Sequence, residues 1–386
     1  VGDNSEFRIP NSILVHLRDL RFYCVPCRQA RSDADTDADA GADAGAESNP
    51  IDTIDGMRVE FCQTCGAPID ARWAEIVLVC RYCGSHNAPG GVDQPVPSSI
   101  PDDSRTRLGV AGRTYVIQGL LAHGESSDVY RGRWVRRLGE LVVIKVLRAL
   151  SDQDLFHREY TVLERLQTRP TQGDEHFTRR LPHPIGIDTV VRTRDERPVA
   201  VYGWHSGFYL TLDDVAREHP GGIQGEIAVW VFKRVLEILG FIHEAGFVHG
   251  AVLPQHVLVH PRDHGAMLVG WSAASERGPD GSARLVAHNP SRIDYYPPSA
   301  LASERVETAT DIAMAARTTL AACGGSVDQA PGSLPPELAS LLERCAAGGR
   351  NDAWQLLHEI TAVSKECFGP PAYHPLPMPG WPSASR

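Results

Sequence analysis

No stretch of this 386-residue sequence is apolar for long enough to span a bilayer. Its first residues, VGDNSEFRIPNS, lack the basic-then-apolar order of a secretory leader. The cysteines do not suit a disulfide framework: there are nine, an odd count, and six of them fall in CxxC pairs. That usage fits a reducing compartment and metal binding. An excess of basic residues is missing too. The formal net charge is −10, so the overall balance offers nothing to a nucleic-acid backbone. These absences set the expectation of a cytoplasmic protein without a membrane segment.

What is present divides into regions. Hydrophobic content of 42% and charged content of 22% are ordinary for a chain that buries a core. More than half of the net negative charge sits in residues 32–48, SDADTDADAGADAGAES, which hold six acids and no base. Such a tract has almost nothing apolar to bury, and an insert over about 31–50 is expected to be a disordered, solvated spacer. Residues 88–112 are rich in Pro, Gly and Ser and read as a linker. The segment 369–386 carries too many prolines for a helix or a central strand and is expected to run extended.

The module spanning 1–87 carries the cysteine pairs. Cys62, Cys65, Cys80 and Cys83 are spaced C-x2-C-x14-C-x2-C, and a glycine follows each second cysteine. Each pair on a tight turn can aim two thiolates at one ion, and the strand-like AEIVLV returns the chain so that the turns face each other. Four thiolates around zinc form a closed, structural site. The pattern resembles zinc ribbons. Cys24 and Cys27 form a third pair, expected to bind metal, with three arrangements open. They would join Cys62 and Cys65, leaving Cys80 and Cys83 to ligands such as His86. They would instead hold a second ion with another chain, or act as a redox pair, although no thioredoxin-like context surrounds them. Cys323, Cys345 and Cys367 stand alone and read as inert thiols.

From Arg113 the pattern changes. TYVIQGLLAHGESSDVYRGRW reads as strand, glycine-containing turn, strand. LVVIKVLRAL sets Lys145 inside an apolar strand, where a charge needs a partner or a phosphate. FHREYTVLERL puts Phe156, Tyr160 and Leu163 on one helical stripe with Glu159 beside them. Ile227, Trp230, Val231, Val235, Ile238, Leu239 and Ile242 follow helical spacing and lead into the loop HGAVLPQHVLV. A hairpin follows, with turn chemistry at Pro261–Gly265.

In this order the segments 113–368 resemble a protein kinase domain, most closely divergent bacterial kinase-like proteins. Against G-x-G-x-x-G-x-V the chain offers Ala122, Gly124, Ser127 and Val129; against V-A-I-K it keeps Lys145, with Glu159 as the helix partner. Asp311 matches the aspartate that anchors the catalytic loop, and Arg350 the arginine of the last helical subdomain. The departures fall on the chemistry. Ala251 stands at the catalytic base, His256 at the second metal ligand, Gly270 at the metal-binding aspartate of D-F-G, and Ser299 at the acid of A-P-E. Magnesium demands oxygen ligands, and all three oxygen-bearing catalytic positions have been replaced.

The resemblance implies an α+β, bilobal protein-kinase-like fold preceded by a small zinc-ribbon module. It implies a pseudokinase that serves as a scaffold or regulatory subunit in a multi-protein complex. Zinc is the expected cofactor. Any ATP, held by Gly124, Val129, Lys145 and Glu159, is expected to bind weakly and without regard to Mg²⁺. Two other readings stand beside this one. One is an atypical Ser/Thr kinase with rerouted metal ligation, for which Asp263 and Glu276 are the nearest spare carboxylates. The other is a nucleic-acid-binding regulator working through a basic surface around Arg58, Arg72 and Arg81.

Overall fold

The computed structural model describes residues 107–378, apart from 138–139, 169–173, 193–194 and 209, together with the backbone of four short strands before them. The cysteines at 24, 27, 62, 65, 80 and 83, the acidic tract, most of the linker, Arg81 and the last eight residues lie outside the described residues. The four early strands are β1 (Met57–Phe61), β2 (Pro68–Arg72), β3 (Leu78–Val79) and β4 (His86–Asn87). They pair as two antiparallel hairpins, β1 with β2 and β3 with β4. Each hairpin brackets one C-x2-C pair in its connection.

The first lobe is one antiparallel sheet in the order β5-β6-β7-β8-β10-β9. Its strands are β5 (Arg107–Val110), β6 (Arg113–His123), β7 (Ser127–Trp134), β8 (Leu141–Leu147), β9 (Pro184–Arg192) and β10 (Asp195–Gly203). Alternation along β8 explains its two faces: Val142 and Ile144 are fully buried with Leu108, Val110, Tyr115, Val199 and Val201, while Lys145 points the other way. The sheet curls until its edges meet, and the Ala111 N–H donates to Asp188 Oδ2 at 3.3 Å.

β5 corrects the domain boundary, because residues 107–110 belong to the sheet and not to the linker 88–112. Leu108 and Val110 face the sheet interior while Arg107 and Gly109 stay exposed. Four residues are too few for that alternation to stand out from a loop. The turn that follows, with Ala111 at φ 48° and Gly112 at φ 73°, has the composition of linker.

Between β8 and β9 lie α1 (Gln153–Gln167) and the short α2 (Asp174–Thr178). On α1 the residues Phe156, Glu159, Val162, Leu163 and Leu166 are buried, three and four apart as one face of a helix requires. The second lobe is helical. Its centre is α4 (Gly225–Glu244), which follows α3 (Leu212–Glu218), and α6 (Thr308–Ala322), α7 (Pro336–Ala346) and α8 (Ala353–Phe368) pack around it, with α5 (Pro298–Ser303) between. α4 is buried on most sides, Glu237 and His243 included, as a central helix with a broad apolar face must be. After the short β12 (Phe247–Val248), β13 (Val257–His260) and β14 (Gly265–Leu268) form the hairpin read at Pro261–Gly265, with β11 (Leu210–Thr211) on its edge.

Residues 370–378 carry no helix or strand. They are held down all the same. Leu376 and Met378 are buried, the His264 ring stacks between Trp230 and Tyr373 at 4.6 and 4.5 Å, and ring nitrogens of His264 and His219 each lie 2.8 Å from a carbonyl, of His374 and Pro377. No helix among the described residues is long and apolar enough to cross a membrane.

Candidate functional site

The cleft between the lobes is built on Lys145. Its ammonium donates to both oxygens of Glu159 on α1, at 2.6 and 2.9 Å. The Lys145 and Glu159 side chains are 18% and 7% exposed, so the pair is largely withdrawn from screening. Lysine occurs in this sequence only at 145, 233 and 365; every other basic side chain apart from histidine is arginine. Keeping a lysine at this strand position fits its compact point charge. A third member is invisible in the sequence pattern. Tyr202, buried at the end of β10, lies beside the Glu159 carboxylate, and burial, more than that anion, raises its pKa. The cross-strand partner of Lys145 is Ala200, so the two-residue period puts Tyr202 on the same face.

Above the cleft, the turn between β6 and β7 is tight. The Gly124 N–H donates to Ser127 O at 2.9 Å, and a Cβ at Gly124 would stand 2.9 Å from that oxygen. Glycine is therefore needed for the closeness of the turn. The carbonyls of Gly124 and Glu125 accept from the Arg148 guanidinium, and the Arg148 N–H donates to Ser126 O at 2.9 Å. Val129, the other residue expected near a nucleotide, is directly across from Lys145 on β7.

Below the cleft, Asp311 on α6 organises the loop. Its two oxygens accept the backbone N–H groups of His249 and Gly250, each at 2.8 Å, and its Oδ2 lies 2.9 Å from His243 Nε2. Asp311 and His249 are wholly buried. The Ala251 N–H donates to His249 Nδ1 at 3.3 Å, which leaves Nε2 as the protonated nitrogen, donating to Val269 O at 3.2 Å. The ring is thus neutral, and burial pushes its pKa down to about 3. Trp271, in place of the phenylalanine of D-F-G, meets it edge-on at 4.6 Å.

His256 and Gly270 meet each other. The ring donates through Nδ1 to Ala251 O at 2.8 Å, and its body covers Gly270. A Cβ at position 270 would stand 2.5 Å from Cδ2, 2.6 Å from Cγ and 2.6 Å from Nε2 of that ring. The volume that a side chain at 270 would fill is occupied by the imidazole. The two departures from the kinase pattern are therefore one packing solution. Tested against a magnesium ion, this corner does not fit: position 270 has no donor atom, and the ring supplies nitrogen where oxygen is required. Among the described residues, no group of three or more His, Cys, Asp or Glu side chains is placed to hold a metal ion.

The spare carboxylates are engaged elsewhere. Asp263 sits in the β13–β14 turn, where His260 Nδ1 accepts its N–H at 3.0 Å and His260 Nε2 lies 3.4 Å from its Oδ2. Glu276 accepts both Nη atoms of Arg165, at 2.8 and 3.0 Å, tying α1 to the segment after Trp271. Arg350 pairs with Glu359 of α8 at 2.8 Å. Cys323 and Cys345 are buried, with thiols pushed by burial up to about 12 and about 11, and Cys367 is half-buried.

Five histidines among the described residues resist protonation when folded: His249 near 3, His176 and His205 near 4, and His256 and His264 below the ordinary 6.5, with burial the leading cause in each. The unfolded chain binds these protons first, so stability is complete above about pH 6.5 and falls as pH drops toward 3–4. The urea midpoint at about pH 5 should lie below that at about pH 7.5; an equal or higher midpoint would contradict the neutral, buried placement.

Comparison with known proteins bears on the fold. No family model matches the chain. A probable serine/threonine-protein kinase of Clostridium perfringens is 26% identical over 151 residues, which are 39% of this chain and 20% of that protein's length. The crystal structure of the BubR1 kinase domain superposes with a TM-score of 0.52 at 14% identity, over 69% of this chain and 84% of that domain. The kinase domain of PF14_0431 gives 0.45 at 10% identity, over 64% and 72%. The described residues from 107 to 378 have a protein-kinase-like fold.

Proposed function

We propose that this chain is a pseudokinase, a kinase-like protein that transfers no phosphoryl group and serves as a scaffold or regulatory subunit for protein partners. The observation that carries the reading is the His256 ring packed over Gly270. Phosphoryl transfer relies on metal ions that neutralise phosphate charge and on groups that position the nucleophile. Here the metal corner is filled by an imidazole, and Ala251 at the position of the base cannot accept a proton. The Lys145–Glu159–Tyr202 cluster keeps a structural role: it docks α1 on the sheet and so shapes the surface a partner meets. ATP, if it enters, meets Lys145 without a metal bridge. The assembled Lys145–Glu159 pair and the likeness to a probable serine/threonine kinase favour a second reading, an atypical kinase. Against it, Asp263 is held in its own turn and Glu276 by Arg165.

Labelled ATP, offered to wild type and Lys145→Ala with generic and co-purified substrates, separates the two. We expect no transfer from either protein. Lys145→Ala should lose about 1–3 kcal/mol of stability or partner binding, because it leaves the buried Glu159 carboxylate without its cation. Transfer by wild type that the mutation abolishes would establish the atypical kinase instead.

The hairpins β1–β2 and β3–β4 support a zinc ribbon with ligands Cys62, Cys65, Cys80 and Cys83, since each connection carries one thiol pair. Elemental analysis of protein purified without chelator should find at least one zinc per chain, lost together with the fold of residues 60–87 in Cys65→Ser. Absence of zinc would remove this part of the proposal.

A further inference from the structure

The turn between β6 and β7 does more than close on itself, for its tip touches the opposite lobe. Glu125 Oε1 accepts a hydrogen bond from Asn289 Nδ2, and Gln255 Nε2 lies 3.4 Å from the same oxygen. Asn289 is a prepared receptor. It is buried, its Oδ1 accepts the Ser291 N–H at 2.8 Å, and its own N–H donates to the Tyr296 hydroxyl at 3.2 Å. Those bonds fix the amide so that Nδ2 faces Glu125. Gln255 is the neighbour of His256 in the loop below the cleft. From above, Arg148 holds the tip by the carbonyls of Gly124 and Glu125. A carboxylate is thereby set between the turn and the lower loop, and Glu125 and Lys145 both act electrostatically on His256. In a kinase-like fold the phosphates of a nucleotide pass beneath this turn.

We propose that Glu125 is the specificity-determining anion of the cleft: it latches the turn onto Asn289 and Gln255 and excludes nucleoside polyphosphates, while leaving a nucleoside without phosphates undiscriminated. Glu125 is exposed, so its repulsion of a phosphate acts through solvent and is strongest at low ionic strength; a triphosphate entering here must break the latch as well. The inference rests on the non-catalytic reading, since a phosphoryl-transferring chain would have to admit the triphosphate.

The test uses the full chain, titrated calorimetrically with ATP and with adenosine, without Mg²⁺ and at low ionic strength. Glu125→Gln removes the charge and keeps the shape. Asn289→Ser keeps an oxygen to cap the Ser291 N–H but is too short to reach Glu125. Glu125→Gln should tighten ATP binding about tenfold or bring it from undetectable into range, with adenosine unchanged within about twofold. Asn289→Ser should speed amide exchange at residues 122–127 and tighten ATP binding less. ATP binding in Glu125→Gln no better than wild type, undetectable in both included, would overturn the proposal. So would equal gains for ATP and adenosine, which would mean that opening and not charge controls entry. Mg²⁺-dependent transfer by wild type would refute the parent reading separately, whatever Glu125 does.

Discussion

Asp311→Ala should cost the full chain about 3–5 kcal/mol of unfolding free energy, the range for removing one partner from a buried charged network. Three donors converge on this carboxylate, the N–H groups of His249 and Gly250 and the His243 ring. Alanine would leave all three buried without an acceptor. Each stranded donor costs about 1–3 kcal/mol, and partial relaxation keeps the sum below simple addition. The start of the loop carrying Ala251 and His256 is fixed by these two backbone bonds, with the Thr318 hydroxyl donating to Val252 O further on at 2.9 Å, so its position should loosen along with the stability. Asp311→Asn keeps one acceptor oxygen and the volume, and should lose less than half as much. Urea denaturation of both variants beside wild type reads the difference as a midpoint shift at constant slope. A loss below about 1 kcal/mol in Asp311→Ala would show that the loop is held by something else.

Restoring the kinase aspartate should harm this protein. Gly270 has φ 78° and ψ 48°, a left-handed conformation that aspartate tolerates better than most residues. Backbone strain is therefore the smaller obstacle, and the His256 ring is the larger. Gly270→Asp forces a Cβ into contacts of 2.5 and 2.6 Å with that imidazole, an overpacking worth about 1–3 kcal/mol on top of about 1 kcal/mol for the backbone. His256→Asn alone empties the space beside Gly270 and should also destabilise. The double variant Gly270→Asp, His256→Asn should recover about 1–3 kcal/mol relative to Gly270→Asp, a coupling that a double-mutant cycle isolates. Additive losses would mean that the two positions are independent and that the ring does not fill the missing side chain's place.

Much of this was readable before any coordinates. LVVIKVL is apolar but for Lys145, which marked a buried strand carrying a charge in need of a partner, because an unpaired charge is costly away from water. The apolar stripe from Ile227 to Ile242 required a buried helix. The loss of oxygen ligands at Ala251, His256 and Gly270 is a matter of residue chemistry alone. So is the ordered series of segments that resembles a kinase domain.

Tertiary structure decided how those positions meet. His256 and Gly270 are adjacent only because the hairpin β13–β14 folds back, and the ring lies over the glycine only in the rotamer that gives Nδ1 to Ala251 O. Tyr202 reaches Glu159 across two elements, and Glu125 reaches Asn289 from the other lobe. β5 closes the sheet with four residues, too short a run for alternation to announce. Periodicity encodes which face of an element is apolar, since that depends on neighbours along the chain. It carries no record of which polar group waits on a distant element, since that contact exists only once both are packed.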